Sequence, residues 1–173
     1  MVYPLSMTRI RTATPPDATA IAAIYNHYVV DSIATFEEAP VADDDMAGRI
    51  EQVRSQGLPW LVAEDERGQV LGYAYASPWK ARAAYRHSVE ITVYLAPSAG
   101  GRGLGTRLYR ALFKVLAAGQ VHAVMAGIAL PNPASVALHE KLGLSQVAHF
   151  QQVGRKFDRW IDVGYWQLLL SEQ

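Results

Sequence analysis

Four glycines in six positions, Gly100, Gly101, Gly103 and Gly105, stand between two segments of different periodicity. This junction limits what the chain can fold into. Upstream, 87-HSVEITVYLA-96 alternates with period two and stops at Pro97, as a half-buried strand does. Downstream, the stretch from about Gly103 to Ala118 reads as an amphipathic helix, and 121-VHAVMAGIAL-130 reads as the next strand. Strand, helix and strand in succession make a crossover rather than a hairpin. A helix that starts in glycines also gathers unpaired N–H groups and the positive end of its dipole at one point, a ready anion site.

The remaining chain supplies hairpins around this crossover. The segment 8-TRIRTAT-14 predicts a short first strand, and Pro15-Pro16-Asp17 opens a helix through 18-ATAIAAIYNHYVV-30. A second helix is expected over 43–56, with Asp43 to Asp45 at the favourable end of its dipole. The segments 59–65 and 70–77, joined through Arg67-Gly68-Gln69, read as an antiparallel hairpin. After 121–130 comes a short helix in 131–144, ended by Gly143, and then two alternating segments, 145–154 and 158–169. The order β-α-α-β-β-β-α-β-α-β-β predicts an α/β (α+β) fold. It is a single domain over 1–173, with a central mixed, mostly antiparallel sheet and helices on both faces. Met7 offers a second start, which would make residues 1–6 a disordered lead.

Composition narrows the function. Lys plus Arg and Asp plus Glu both number 16, so nothing suggests a nucleic-acid or membrane-surface partner. The absence of cysteine excludes disulfides, thiolate catalysis and cysteine zinc sites. No apolar run reaches the roughly 18 residues of a membrane span, and MVYPLSMTRI lacks a signal-peptide pattern, so the cytoplasm is the expected location. His27, His87, His122 and His149 have no metal-ligand spacing, and no metal is expected.

The glycine turn fits neither a Walker A loop nor the dinucleotide G-x-G-x-x-G spacing, since its last three glycines fall on alternate positions. With Arg102, Arg107 and Arg110 nearby, and Gly103, Gly105 and Thr106 at the helix start, its amides suit a pyrophosphate. The run 101-GRGLGTRL-108 after a V-Y-L strand resembles the acetyl-CoA-binding motif of the GNAT N-acetyltransferases. The family pattern Q/R-x-x-G-x-G/A aligns with Gly100 to Gly105, departing at Gly100, which removes one side-chain contact and leaves the backbone cradle. The segments 24-IYNHYVVDSIATFEE-38, 72-GYAYASPWKARAAYRHSVEITVYL-95, 132-NPASVALHEKLGL-144 and 153-VGRKFDRWIDVGYWQ-167 resemble one branch of that family. Its members acetylate phosphinothricin, methionine sulfoximine or methionine sulfone.

Alternation puts Glu90, Thr92 and Tyr94 on one strand face and Val89, Ile91 and Val93 on the other. Taken alone, an acid there is better read as sitting on a solvated sheet face; the resemblance reverses this and implies that Glu90 is the base, acting directly or through one water. The resemblance further implies that the backbone of Val93, Tyr94 and Leu95 lines the pantetheine arm, the Leu95 amide serving as oxyanion donor. The cradle for the CoA phosphates would comprise Gly101, Arg102, Gly103, Leu104, Gly105 and Thr106. Pro97 is placed to splay the strand. His139 lies two helical turns after Asn132. It stands either as general acid for the departing thiolate or as a hydrogen-bond partner of the substrate. Asn132 would bond the pantetheine amide and Lys141 a CoA phosphate.

On the acceptor side, Lys80 and Arg82 would receive an acidic group, for which the arginine fork is suited. Phe36 would wall the pocket, Glu37 would hold the amine or a neighbouring arginine, and Thr92 would hydrogen-bond substrate. Trp160, Tyr165 and Trp166 suggest core with part of a homodimer surface. Two other readings stand beside an amino-acid acetyltransferase. One is an acetyltransferase of peptide N-termini or another metabolite amine, against which the basic loop at Lys80 and Arg82 argues. The other is a non-catalytic CoA sensor, against which Glu90 and His139 argue.

Overall fold

The computed structural model describes residues 8–170; the lead expected at residues 1–6 lies outside them. Seven strands form one sheet in the order β1-β2-β3-β4-β5-β7-β6, with every neighbouring pair antiparallel except β4 and β5. The strands are β1 (Arg9–Thr12), β2 (Trp60–Glu64), β3 (Val70–Pro78), β4 (Ser88–Leu95), β5 (Ala123–Leu130), β6 (Ser145–Lys156) and β7 (Arg159–Leu169). The helices are α1 (Ala18–Asp31), α2 (Asp43–Ser55), α3 (Leu104–Ala118) and α4 (Pro133–Lys141). The mixed, mostly antiparallel sheet read from the sequence is therefore present, and the crossover at the glycine turn supplies its one parallel pair.

Each sheet face has its own core. On one, Leu104, Leu108, Leu112 and Leu116 recur every four residues along α3 and bury against Val89, Ile91, Val124 and Ile128, with Val136 and Leu138 of α4 alongside. On the other, Ile21 and Val29 of α1 and Met46, Ile50 and Val53 of α2 cover Trp60, Val62 and Tyr73. Full burial of each such side chain is worth about 1.5–3 kcal/mol. The alternation along β4 thus resolves as read. Val89 and Ile91 face α3, and Tyr94 packs on the α1 side against Tyr25, Tyr28 and Tyr73.

Three boundaries differ from the sequence reading. Pro15–Asp17 forms a 3₁₀ turn ahead of α1 rather than its first α-helical turn. The helix expected in 131–144 is confined to Pro133–Lys141, and Gly143 ends it at φ +93°. The strand expected to stop at Gly154 continues to Lys156, past a bulge between Phe150 and Gly154. The hairpin then turns at Phe157 and Asp158, both with positive φ. Neither is glycine, so the usual signal of such a turn is missing.

The β1–α1 corner is held by Asp17, whose carboxylate accepts from Arg11 at 2.7 and 2.8 Å, from the Thr14 N–H at 2.7 Å and from the Thr14 hydroxyl at 3.0 Å. Arg11 also reaches Glu64 on β2 at 2.7 Å. The Arg11 bonds, helped by those from Thr14, hold the Asp17 carboxyl below its ordinary value of 3.8 against the opposing effect of burial. A depressed carboxylate stabilises the fold above its unfolded-state pKa and loses that contribution as pH falls through the folded one. Asp17→Asn is expected to lower unfolding free energy by about 1.5–3 kcal/mol at neutral pH. Urea unfolding should show the deficit shrinking as the pH is taken down through and below 3.8; an equal deficit at all pH values would contradict the assignment.

Candidate active site

The single parallel ladder is short. It pairs Ser88 with Ala123, Val89 with Val124 and Glu90 with Met125, and ends there, although both strands continue for five more residues. Beyond it β4 stays with β3 as far as Leu95, and β5 stays with β7 as far as Leu130. The sheet is therefore split, with Glu90 at the apex. The Ala96 N–H bonds to Leu71 on the β3 side; alternation then turns the N–H groups of Val93 and Leu95 into the gap. The splay begins well before Pro97, which lies in the 3₁₀ turn that follows β4. Divergent pairing opens the sheet, not the proline.

Glu90 lines a cavity of about 500 Å³ together with Ile33, Ala34 and Phe36 from the loop after α1, Trp79 and Lys80 from the loop after β3, and residues of β5, β6 and β7. Burial pushes the Glu90 carboxyl above its ordinary 4.5; Lys80, the Gly127 amide and the Tyr165 hydroxyl act in the opposite sense. Gly127 is required by closeness. A Cβ there would stand 3.2 Å from a Glu90 carboxylate oxygen and 3.1 Å from the Tyr165 ring. Lys80 lies over the Trp79 ring, 4.8 Å from its centroid, and Trp79 meets Tyr165 edge-on at 5.3 Å. A half-buried carboxylate with a raised pKa, a cation and an aromatic lining can take a proton from a cationic group and hold an anionic one.

Of the residues expected on the acceptor side, the structure brings Glu90, Lys80 and Phe36 to this cavity. Glu37 instead forms a two-pronged pair with Arg49 at 2.6 and 3.1 Å, the neighbouring-arginine alternative. Arg82 is exposed in the β3–β4 loop and does not line the cavity. Thr92 shares the face of Glu90 but sits beside Tyr75, its partner in the β3–β4 ladder. Tyr165, read from sequence as core or dimer surface, stands in the cavity beside Glu90, while Trp166 is core and Trp160 is exposed. Gly127 had a readable signal, an isolated glycine inside a strand, which marks close approach.

At the other end of the split, Gly101 and Gly103 adopt φ of +73° and +79°, and α3 begins at Leu104. Intrahelical bonding starts with the Arg107 N–H on Gly103, so the N–H groups of Leu104, Gly105 and Thr106 have no acceptor within the helix. A Cβ on Gly100, Gly101 or Gly103 would meet nothing within 4 Å, so the turn offers bare backbone to open space. Gly105 differs: its Cβ would come 3.1 Å from Leu138, so that glycine serves α3–α4 packing. Arg102 reaches back to the Ser98 carbonyl. Bare amides at a helix N-terminus, continuous with an unpaired strand edge, fit a ligand with a phosphate group and an amide-bearing arm.

His139 is buried between α3 and α4. Its Nδ1 lies 2.7 Å from the Ser135 carbonyl, which can only accept, so Nδ1 carries the proton and Nε2 accepts from the Tyr109 hydroxyl at 3.1 Å. Burial pushes its pKa below the ordinary value. The imidazole is thus held neutral, with both nitrogens engaged. The Asn132 side chain caps α4 through the Ser135 N–H at 3.1 Å, and Lys141 is exposed at the far end of that helix. Among the described residues, no group of three or more His, Cys, Asp or Glu side chains could hold a metal ion, and no helix is long and apolar enough to cross a membrane.

Comparison with known proteins agrees with this geometry. Residues 10–164 match the acetyltransferase (GNAT) domain. The chain is 38% identical over 172 aligned residues to phosphinothricin N-acetyltransferase of Streptomyces coelicolor, covering 92% of this chain and 94% of that one. It is 40% identical to L-methionine sulfoximine/L-methionine sulfone acetyltransferase of Pseudomonas aeruginosa, with 94% of each chain covered. The crystal structure of a phosphinothricin acetyltransferase from Sinorhizobium meliloti in complex with acetyl-CoA superposes with a TM-score of 0.93 at 38% identity, over 96% of this chain and 90% of that one.

Replacing Lys80 by Met removes the cation that opposes burial at Glu90. The Glu90 carboxyl is expected to titrate at higher pH in the variant, read by carbon NMR of labelled glutamate; an unmoved titration would mean that Lys80 does not act on it.

Proposed function

We propose, from the premise that the chain belongs to the GNAT acetyltransferase family, that it moves the acetyl group of acetyl-CoA onto the amine of a small amino-acid-like acceptor. The acceptors it favours carry an acidic or strongly polar side-chain group, as phosphinothricin, methionine sulfoximine and methionine sulfone do. The observation that carries this reading is Glu90 at the apex of the split, between an acceptor-sized cavity and a backbone cleft that leads to the glycine turn. The names and ligands of the relatives support it.

In this reading the acceptor ammonium lies in the cavity with its anionic group toward Lys80. Glu90 takes one proton, directly or through a water, and burial raises its basicity toward working pH. The freed amine attacks the thioester carbonyl carbon, the C–S bond breaks, and the second proton of the attacking nitrogen passes to the departing thiolate, leaving the neutral amide and CoA thiol. The Leu95 N–H, turned into the gap, stabilises the charge that develops on the carbonyl oxygen. The glycine-turn residues Gly101 to Thr106 hold the phosphates, to which Lys141 adds a side-chain contact, and the backbone of Val93 to Leu95 holds the arm, to which Asn132 adds one. Expected as donor to the leaving thiolate, His139 has no proton on Nε2 as held here. We assign it to fixing the α3–α4 contact; a thiolate can leave without an acid, since thiols ionise near pH 8.5. Arg82 is left the outer rim of the acceptor site, Thr92 is engaged by Tyr75 rather than by substrate, and Glu37 orders the loop through Arg49.

The test is thiol release from acetyl-CoA across a panel of phosphinothricin, methionine sulfoximine, methionine sulfone, proteinogenic amino acids, a polyamine and a short peptide. Turnover is expected with the first three. Turnover only with the peptide or the polyamine would keep the class and discard this pocket. Glu90→Gln should lower the rate on the order of 10²–10⁴-fold while acetyl-CoA still binds. It should also abolish the fall in kcat/KM as pH drops through the raised Glu90 pKa. An unchanged rate would mean that Glu90 is not the base, whereas silence of the wild type across the panel with acetyl-CoA still bound would favour a sensor.

We infer in addition that two copies pair through the β6–β7 hairpin, which ends the sheet and exposes Val147, Phe157 and Trp160. Sedimentation at micromolar concentration should give twice the chain mass, and a single-chain mass would refute pairing.

A further inference from the structure

Two pieces of chain face each other across the Glu90 cavity. One is the loop after α1, which supplies Ile33, Ala34 and Phe36; the other is the β6–β7 hairpin, which supplies Phe150, Val153, Val163 and Tyr165. The loop lies outside the sheet, so no backbone ladder sets its distance from the hairpin. Lys156, on β6, spans that distance. It is 3% exposed, and its ammonium donates to the carbonyls of Ser32 at 2.7 Å and Thr35 at 2.8 Å, with Tyr28 at 3.4 Å. These carbonyls lie at or just beyond the C-terminus of α1, where helix carbonyls lack partners and the dipole is negative.

Gly154, two residues earlier and on the same strand face, receives the other end of the loop. A Cβ at Gly154 would stand 2.3 Å from the Phe36 ring. The loop is thus fixed to β6 along Ser32–Phe36, by an ammonium on the Ser32 and Thr35 carbonyls and by the Phe36 ring on bare backbone. A buried ammonium bonded to neutral carbonyls carries a desolvation penalty, and burial pushes Lys156 below its ordinary pKa against the opposing charge of Glu38. Packing alone would be served as well by an apolar chain of the same length.

We propose that Lys156 and Gly154 form a clasp that positions the Ser32–Phe36 wall and thereby sets which acceptor side chains the cavity admits. Lys156 does not line the cavity; it is a positioning residue. The proposal rests on the reading of this cavity as the acceptor site. Its ligand discrimination is that of an apolar wall, where one methylene is worth about 10–200-fold.

The experiment compares wild type, Lys156→Met and Gly154→Ala by steady-state kinetics with acetyl-CoA, methionine sulfone and its homologue one methylene shorter, alongside amide hydrogen exchange over residues 32–37. In Lys156→Met these amides should exchange faster. The KM for methionine sulfone should rise about tenfold, as loss of a charged hydrogen-bond set implies, while the KM for acetyl-CoA stays within about twofold. Discrimination between the two sulfones should narrow. Gly154→Ala keeps the ammonium but displaces Phe36, and should move the same acceptor KM; it is the deciding variant if a melting curve shows that Lys156→Met folds poorly. The clasp is overturned if exchange quickens with acceptor KM unchanged, or if both KM values rise together. Should wild type turn over no amine, the functional reading fails instead, and unaltered exchange in Lys156→Met then overturns the clasp by itself.

Discussion

The divergence of β4 from β5 after Glu90 is the constraint on which the rest of the molecule depends. Each strand remains fully paired on its outer side, β4 with β3 through Leu95 and β5 with β7 through Leu130. The gap therefore separates two intact half-sheets and does not fray either one. Its cost is a row of unpaired backbone groups, which a protein retains where something else pairs with them. The same divergence sets Glu90 at the last closed rung and opens space beside it. The place of this carboxylate and the cleft are consequences of one topological event.

The α1 side of the sheet turns that gap into a shaped site. A cluster of aromatic side chains, Tyr25, Tyr28, Tyr73, Tyr75, Tyr94 and Trp60, fills the space between α1, α2 and the strands. Several of its hydroxyls end on the loop or the strand edge. The Tyr94 hydroxyl donates to the Ala34 carbonyl at 3.1 Å, Tyr25 meets the Thr35 hydroxyl at 2.7 Å, and Tyr28 donates to the Leu95 carbonyl at 2.6 Å. Buried tyrosines need such partners. Here the partners are the backbone that walls the Glu90 cavity and the edge that faces the cleft, so one cluster orders both.

Electrostatics at the apex is a balance between effects of opposite sign. Desolvation raises Glu90, whereas Lys80, the Gly127 amide and the Tyr165 hydroxyl favour its charged form. A carboxylate left only to burial would stay protonated and be useless as a base; one paired tightly to a cation would be too weak. Lys80 stands across the cavity, over the Trp79 ring, which leaves the carboxylate accessible.

By itself the sequence determined the element order, the mixed sheet and the glycine turn at the start of α3. These rest on local causes: strand and helix periods, the Pro15 and Gly143 punctuation, and glycines whose positive φ is a property of single residues. It also put Glu90 on the correct strand face, because parity along one strand needs no knowledge of its neighbours. Only the tertiary structure decided which side chains meet Glu90. Gly127, Tyr165 and Lys80 approach it from three separate segments, and nothing in the spacing of one reports the register of another. The same holds for His139, whose Nε2 meets the Tyr109 hydroxyl thirty residues away. Lys156 sits among charged residues in 153-VGRKFDRW-160, and is buried where the end of α1 packs on it. Local preferences are written residue by residue. Burial and partnership belong to the packing of distant segments, and a single sequence carries no direct record of them.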